Sequence, residues 1–362
     1  MRIGLAATTL VLTAALAVGA AAPAGAARPD PVRQGLDALV GADGVPGALA
    51  TVTGRDGRTR VYTAGEDVPR DGRIRIGSVT KSFTAVVVLQ LAGEGAIELD
   101  KPVEKYLPGL LRGEGVDGNA ITVRMLLNHT SGLPDYELDV TDDIIAGRYY
   151  EPRDALDVAL RHPAEFTPGT SWKYSNTNFL VAGLVVQKIT GRPFAEELDR
   201  RVLKPAGLAH TYFPAPGETE IRGRHPRGYR EQVPGGPRRD VTDIDPSAAW
   251  TAGAMVSTNS DLARFYDEVL TGDLVPDSLR DDLLTPAPNG PSGYAYGLGV
   301  MNFPLSCGGS YWGHYGGIPG FLTFSGAVGD GRSASIAVNL ETAGGSEIPG
   351  HAVAVLDAAL CR

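Results

Sequence analysis

The chain has 362 residues, 43% of them hydrophobic and 21% charged, and a mean hydropathy of −0.06. That is apolar material enough for one large domain or two ordinary ones, and it excludes a fibre, a disordered tail and a polytopic membrane protein. A formal charge of −9, from 33 Lys+Arg against 42 Asp+Glu, leaves no basic footprint, so nucleic acid is not an expected partner.

Residues 1–26 read as a secretion leader: Arg2 opens it, Leu5 to Ala22 carries no charge, and Ala24-Gly25-Ala26 offers small residues for cleavage. The expectation is an exported protein without a stable membrane span, whose mature part runs from 27 to 362. Asp30 to Val40 predicts a helix, and Ala48 to Ala64 a hairpin turned at Arg55-Asp56-Gly57. Arg73 to Ile76 reads as a strand. It leads into Ser78 to Ala92, apolar at helical spacing and stopped at Gly93, which predicts a buried helix. From about 94 to 250 the pattern is a mostly helical insertion, with pieces near Val123 to Asn128 and Asn176 to Thr190 and an exposed loop over Pro216 to Arg239. The remainder returns to strands. Phe321 to Val328 and Ser333 to Leu340 flank the turn Gly329 to Arg332, and Ile348 to Leu360 closes the chain as a helix. The fold class that follows is α+β, an α/β/α sandwich: one antiparallel sheet from N- and C-terminal hairpins, terminal helices on one face, the helical insertion on the other, and a cleft between sheet and insertion. Cys307 and Cys361 either pair as a single disulfide, which export favours, or remain two reduced core cysteines.

Three short motifs carry chemistry. In Ser78-Val79-Thr80-Lys81 the serine and lysine share one helical face, so an amine reaches a hydroxyl at a helix N-terminus that favours negative charge on the serine oxygen. Lysine is scarce here, with six in the whole chain, which makes the placement informative. In Tyr174-Ser175-Asn176 a phenol and a carboxamide two residues apart can enter one site, the phenol to relay a proton and the amide to hold a substrate backbone. His314-Tyr315-Gly316-Gly317 lies on a predicted strand where Gly317 can offer its N–H to an oxyanion. Other chemistries lack their residues: no serine has glycine at both −2 and +2, no H-E-x-x-H, C-x-x-C or P-loop occurs, and Gly113 to Gly118 matches G-x-G-x-x-G without a preceding strand. His129, His162, His210, His225 and His351 show no metal-ligand spacing, so neither a metal nor a cofactor is expected.

In that order the motifs resemble those of the serine β-lactamase and penicillin-binding-protein superfamily, and more closely the secreted D-alanyl-D-alanine carboxypeptidases of actinomycetes and their class C β-lactamase relatives. Ile76 to Leu91, Leu126 to Leu133 (LLNHTSGL), Tyr174 to Gly183 and Leu305 to Gly309 are similar to that family as well. The resemblance implies a serine β-lactamase-like fold and a D-Ala-D-Ala carboxypeptidase or transpeptidase, acting on peptidoglycan stem peptides and acylated by β-lactams, with no cofactor and as a monomer. A serine esterase, D-amino-acid amidase or β-lactamase of the same fold is the alternative, and a non-catalytic cell-wall-binding or penicillin-sensing protein a further one. It implies that Ser78 is the acylated nucleophile, Lys81 its activating partner, Tyr174 the general base and acid, Asn176 the amide binder, and His314 the residue standing where relatives have Lys or His. The N–H groups of Ser78 and Gly317 would form the oxyanion hole, with Tyr315, Gly316 and Trp250 at the substrate; a core aromatic is the other reading of Trp250. Two departures bear on substrate. Tyr315 replaces the family's threonine, and Met301 stands at or near an arginine of the carboxypeptidases, while no Lys or Arg occurs from Asp281 to Gly331. Without a cation and a hydroxyl, selectivity for a terminal carboxylate should weaken.

Overall fold

The structure, a computed structural model, describes residues 29–343 and 345–362, so the predicted leader lies outside the described residues. The first helix, Pro31–Gly41, starts where Asp30 accepts the Val32 N–H at 3.0 Å and where Pro31 is pre-set for the first turn. Its face of Val32, Leu36 and Leu39 is buried beside the closing helix Ile348–Leu360, and the two cover one side of a seven-stranded sheet. Every strand pair in it is antiparallel. The order is Thr59–Gly65, Gly47–Thr53, Ser333–Val338, Phe321–Ala327, Ser310–Ile318, Met301–Pro304, Ala295–Tyr296. The two predicted hairpins are therefore joined by pairing of Gly47–Thr53 with Ser333–Val338, Ala48 opposite Val338. Ala48, Ala50, Val52, Ala334, Ile336 and Val338 face the terminal helices, whereas Leu49 and Ala337 join the other core. Burial on both faces explains why these strands read as near-continuous apolar runs.

The second face is covered by a helix that the sequence reading placed among strands. Beyond 250, Asn259–Thr271 and Asp277–Leu284 are helical before the sheet resumes. Thr258 caps the first of these by accepting from the Asp261 N–H, and Leu262, Phe265, Tyr266 and Val269 recur at helical spacing, a signal hidden by its polar surroundings. Its N-terminal residues bond upward to the sheet: the Ser335 hydroxyl donates to Asn259 Oδ1 at 2.7 Å, and the Thr51 and Ser260 hydroxyls lie 3.2 Å apart.

The predicted buried helix is Thr80–Gly93, entered through one tight turn at Gly77–Val79. It is enclosed on every side, so its polar residues are satisfied internally: Ser82 donates to the Gly299 carbonyl and Thr84 to the Thr251 carbonyl, each at 2.7 Å. Between 94 and 250 lie the helices Val123–Leu127, Glu137–Ile145, Pro152–Ala159 and Asn176–Thr190. The exposed loop expected over 216–239 is corrected in part. Tyr229–Glu231 pairs in parallel with Leu340–Thr342 and antiparallel with Arg239–Asp240, and Glu231 is buried on Arg238 at 2.9 Å. Cys307 and Cys361 form a disulfide, Cα to Cα 5.8 Å, which joins the turn before Ser310–Ile318 to the end of the closing helix. Among the described residues no helix is long and apolar enough to cross a membrane.

Candidate active site

Ile74–Arg75 pairs with Val256–Ser257 and delivers the chain to Gly77, whose φ of +48° suits a residue without a side chain. From there Ser78 enters the buried helix beside the strand Ser310–Ile318. The approach is backbone to backbone. A Cβ built on Gly316 would lie 2.0 Å from the Ile76 carbonyl oxygen and 2.9 Å from Ser78 N, and one on Gly77 would lie 2.5 Å from the Gly317 carbonyl oxygen. Glycine at these positions is what lets the main-chain groups of Ser78 and Gly317 meet at one wall.

Lys81, one turn into the helix, has no exposed surface. Its Nζ lies 2.9 Å from Ser78 Oγ, 2.6 Å from Asn176 Oδ1 and 2.8 Å from the Ala252 carbonyl oxygen. Three acceptors match the three donors of an ammonium; as a neutral amine Lys81 donates to two of them and turns a lone pair to the Ser78 hydroxyl. Burial lowers its pKa to about 7, against the upward pull of Glu137 and Asp135. Asn176 is the bridge to those acids, its Nδ2 donating to Asp135 Oδ2 at 3.1 Å and Glu137 Oε2 at 2.9 Å. The Glu137 residue is exposed by surface area, but its carboxyl sits within the cleft wall, where desolvation and then Asp135 raise its pKa.

Tyr174 packs against His129 with ring centroids 4.3 Å apart and the planes tilted by 32°, and Lys81 Nζ lies 4.8 Å from the phenol ring. Its hydroxyl is buried beside Ser78, which favours the phenolate, yet the geometry falls short of a formed hydrogen bond. Burial dominates and holds the Tyr174 pKa well above its ordinary value.

Ser78, Tyr174, Asn176, Tyr315 and Gly317 line one cleft of about 420 Å³, with Lys81 directly behind Ser78 and Gly316 behind the wall. Two expected residues do not line it. His314 is 1% exposed and sits behind Tyr174, ring centroids 6.4 Å apart, its pKa lowered to about 3 by burial and then by the Lys81 charge. Strand alternation buries His314 and exposes Tyr315, so the phenol rather than the imidazole reaches the cleft. Trp250 turns away at φ +34° onto Phe194, ring centroids 6.1 Å apart, and lines a separate aromatic cavity, which corrects the cleft-tryptophan expectation in favour of packing. What sequence reasoning missed is the acidic side of the cleft, lined by Glu137 and Glu341 with Asp135 behind them on Asn176, together with Arg230, 3.2 Å from Glu341, and the buried His129 and Tyr296. Asp135 and Glu137 follow directly on LLNHTSGL, but nothing in the sequence pairs them with Asn176. Leu138, 94% exposed, joins Val140, Ile144, Ile318 and Leu322 as an apolar rim.

Residues 32–357 match the protein family described as Beta-lactamase. Among solved structures the chain is similar to a D-stereospecific amidohydrolase from a Streptomyces species, with 40% identity, a TM-score of 0.84, and coverage of 91% of this chain and 98% of that one. It is also similar to the D-amino acid amidase of Ochrobactrum anthropi SV3 solved with L-phenylalanine amide, with 27% identity, a TM-score of 0.79, and coverage of 91% and 96%. Among curated proteins it matches Protein flp of Staphylococcus aureus at 30% identity, over 42% of this chain and 30% of that protein. Penicillin-binding protein 4 of Amycolatopsis lactamdurans matches at 31%, over 60% and 55%. The chain thus spans about a third to a half of the length of these curated relatives.

Proposed function

The chain belongs to the beta-lactamase family of serine hydrolases, and from that premise we propose that it cleaves amides, esters or short peptides whose acyl part is a D-amino acid with a free ammonium. In this reading neutral Lys81 takes the Ser78 hydroxyl proton while Oγ attacks the acyl carbon, and the Ser78 and Gly317 N–H groups hold the oxyanion. Tyr174 remains a protonated phenol and acts as the acid: it gives its proton to the departing nitrogen as the C–N bond breaks, and is reprotonated from the Lys81 ammonium. Water then attacks the Ser78 ester by the reverse route, releasing the acid and restoring the hydroxyl.

The observation that carries the substrate class is the carboxylate pair Asp135 and Glu137 on the Asn176 amide, at the end of a cleft with an apolar rim. An ammonium on the α-carbon of the acyl part would meet Glu137 while its side chain met Leu138 and Ile144. The D configuration and the amide class are supported by the names of the structural relatives. A second reading, release of the C-terminal residue from D-Ala-D-Ala peptides, is favoured by the similarity to a penicillin-binding protein. Against it, Arg230 is the one cation among the lining residues and is held by Glu341. We also infer export, from the apolar leader together with the disulfide.

The test compares D-phenylalanine amide with its N-acetyl derivative, in wild type and Glu137→Gln, with Ser78→Ala as the inactive control. We expect Glu137→Gln to lower kcat/KM about 10- to 100-fold for the free amine only, the worth of one charged hydrogen bond. Equal losses on both substrates, or faster turnover of an N-blocked peptide ending in D-Ala-D-Ala, would return the assignment to a carboxypeptidase.

A further inference from the structure

Behind the cleft, buried side chains that no step above uses join two of the three motifs. The Ser175 backbone N–H donates to His129 Nδ1 at 3.2 Å, and the Asn178 amide donates to the same nitrogen at 3.0 Å. His129 Nε2 lies 3.0 Å from the Tyr296 hydroxyl, and that hydroxyl lies 3.1 Å from His314 Nε2. His314 Nδ1 ends the chain on the Tyr315 backbone carbonyl. We infer that Tyr296 is a positioning residue: it locks His129 and His314 as neutral rings of opposite tautomer and, through His129, seats the Tyr174 phenol over Lys81 and Ser78.

Both ends of the chain admit one direction. A backbone N–H only donates, so His129 Nδ1 accepts and the ring proton lies on Nε2. The orientation of Asn178 agrees, because the Leu133 N–H donates to the Ser131 hydroxyl, which in turn donates to Asn178 Oδ1 and leaves Nδ2 for His129. At the far end a carbonyl only accepts, so His314 carries its proton on Nδ1 and a lone pair on Nε2. Tyr296 then accepts from His129 and donates to His314, the one arrangement that satisfies every polar atom. A second proton on His129 would face two donors; on His314 it would orphan the Tyr296 hydroxyl proton. The remaining surroundings push the same way. Lys81 bears on both rings electrostatically, His314 bears on His129, Tyr174 and Tyr296 face both, and Tyr315 faces His314, so among the described residues no carboxylate partners either ring to favour an imidazolium. Tyr174, whose own hydroxyl has no formed hydrogen bond, relies on the His129 ring for its position.

Only the kinetic arm of the test rests on the acyl-transfer reading. Replacing His162, His210, His225 and His351 together by glutamine leaves the two buried rings, whose nitrogens are then read by long-range 1H–15N spectra. One Nε2–H and one Nδ1–H tautomer are expected, the latter lost in His314→Gln, with neither ring titrating between about pH 5 and 8. Two rings of the same tautomer, or either titrating near its ordinary value, would overturn the lock even if no substrate were ever found. In Tyr296→Phe we expect kcat to fall about 10- to 100-fold with KM little changed, and a new ionisation below neutral pH in the kcat profile. Unchanged kcat and an unchanged profile would overturn the positioning role; should that variant not fold, the spectra of the histidine-reduced protein still decide.

Discussion

At the residue scale the site turns on one lysine held against its chemistry. Lys81 is ordinarily a cation, but burial brings its pKa from 10.5 to about 7 while Ser78, Asn176 and the Ala252 carbonyl give it a partner in either state. Acylation should therefore rise with pH through about 7 and level off, and Lys81→Met should abolish it; a rate flat from pH 6 to about 8.5 would reject Lys81 as the base. The same shift has a stability consequence whose sign is fixed. Between about 7 and 10.5 the unfolded chain holds the lysine proton and the folded chain does not, so the folded form gains as pH rises. Measured by denaturant unfolding, wild type should gain on Lys81→Met by about 1.4 kcal/mol per pH unit across that window, and the difference should stop changing below it.

At the element scale the proposed oxyanion wall is one turn and one strand in contact through glycines. The strand Ser310–Ile318 pairs with Phe321–Ala327 on one side and Met301–Pro304 on the other, so it cannot move away from the Gly77–Val79 turn without breaking ladders. Gly316→Ala places a Cβ 2.0 Å from the Ile76 carbonyl oxygen, a backbone atom with no rotamer to change. We expect about 100-fold slower acylation and a loss of about 1–3 kcal/mol from overpacking. Gly350→Ala, in the closing helix with nothing within 4 Å of its Cβ, is the control and should be neutral or mildly stabilising. Equal behaviour of the two variants would mean the wall is softer than its geometry.

At the scale of the whole molecule, the N- and C-terminal parts are held together twice, by pairing of Gly47–Thr53 with Ser333–Val338 and by packing of the terminal helices, while Cys307–Cys361 ties the closing helix to the turn before Ser310–Ile318. The disulfide closes a loop with a sequence separation of 54, worth roughly 4 kcal/mol if it acts by restricting the unfolded chain. It lies beside the terminal helix rather than the cleft. The double variant Cys307→Ala/Cys361→Ala should lose up to that amount of unfolding free energy while the activity of the folded fraction is kept; lost activity with unchanged stability would contradict both statements.

Local pattern alone determined much of this protein. Apolar periodicity marked the terminal helices and the buried helix from Thr80, glycine-rich turns marked both hairpins, and the Ser78–Lys81 and Tyr174–Asn176 spacings followed from chain geometry over a few residues. It failed where polar surroundings masked a helix, as at Asn259–Thr271, and where a strand forms only because a distant partner exists, as at Tyr229–Glu231 with Leu340–Thr342. Tertiary structure decided the rest of the site. Asp135 and Glu137 matter because they lie on Asn176, His129 because Tyr174 rests on it, and His314 is withdrawn because strand alternation turns it inward while Tyr315 faces the cleft. Such contacts join residues tens to hundreds of positions apart, and their energies depend on burial and distance, neither of which a linear order of side chains contains.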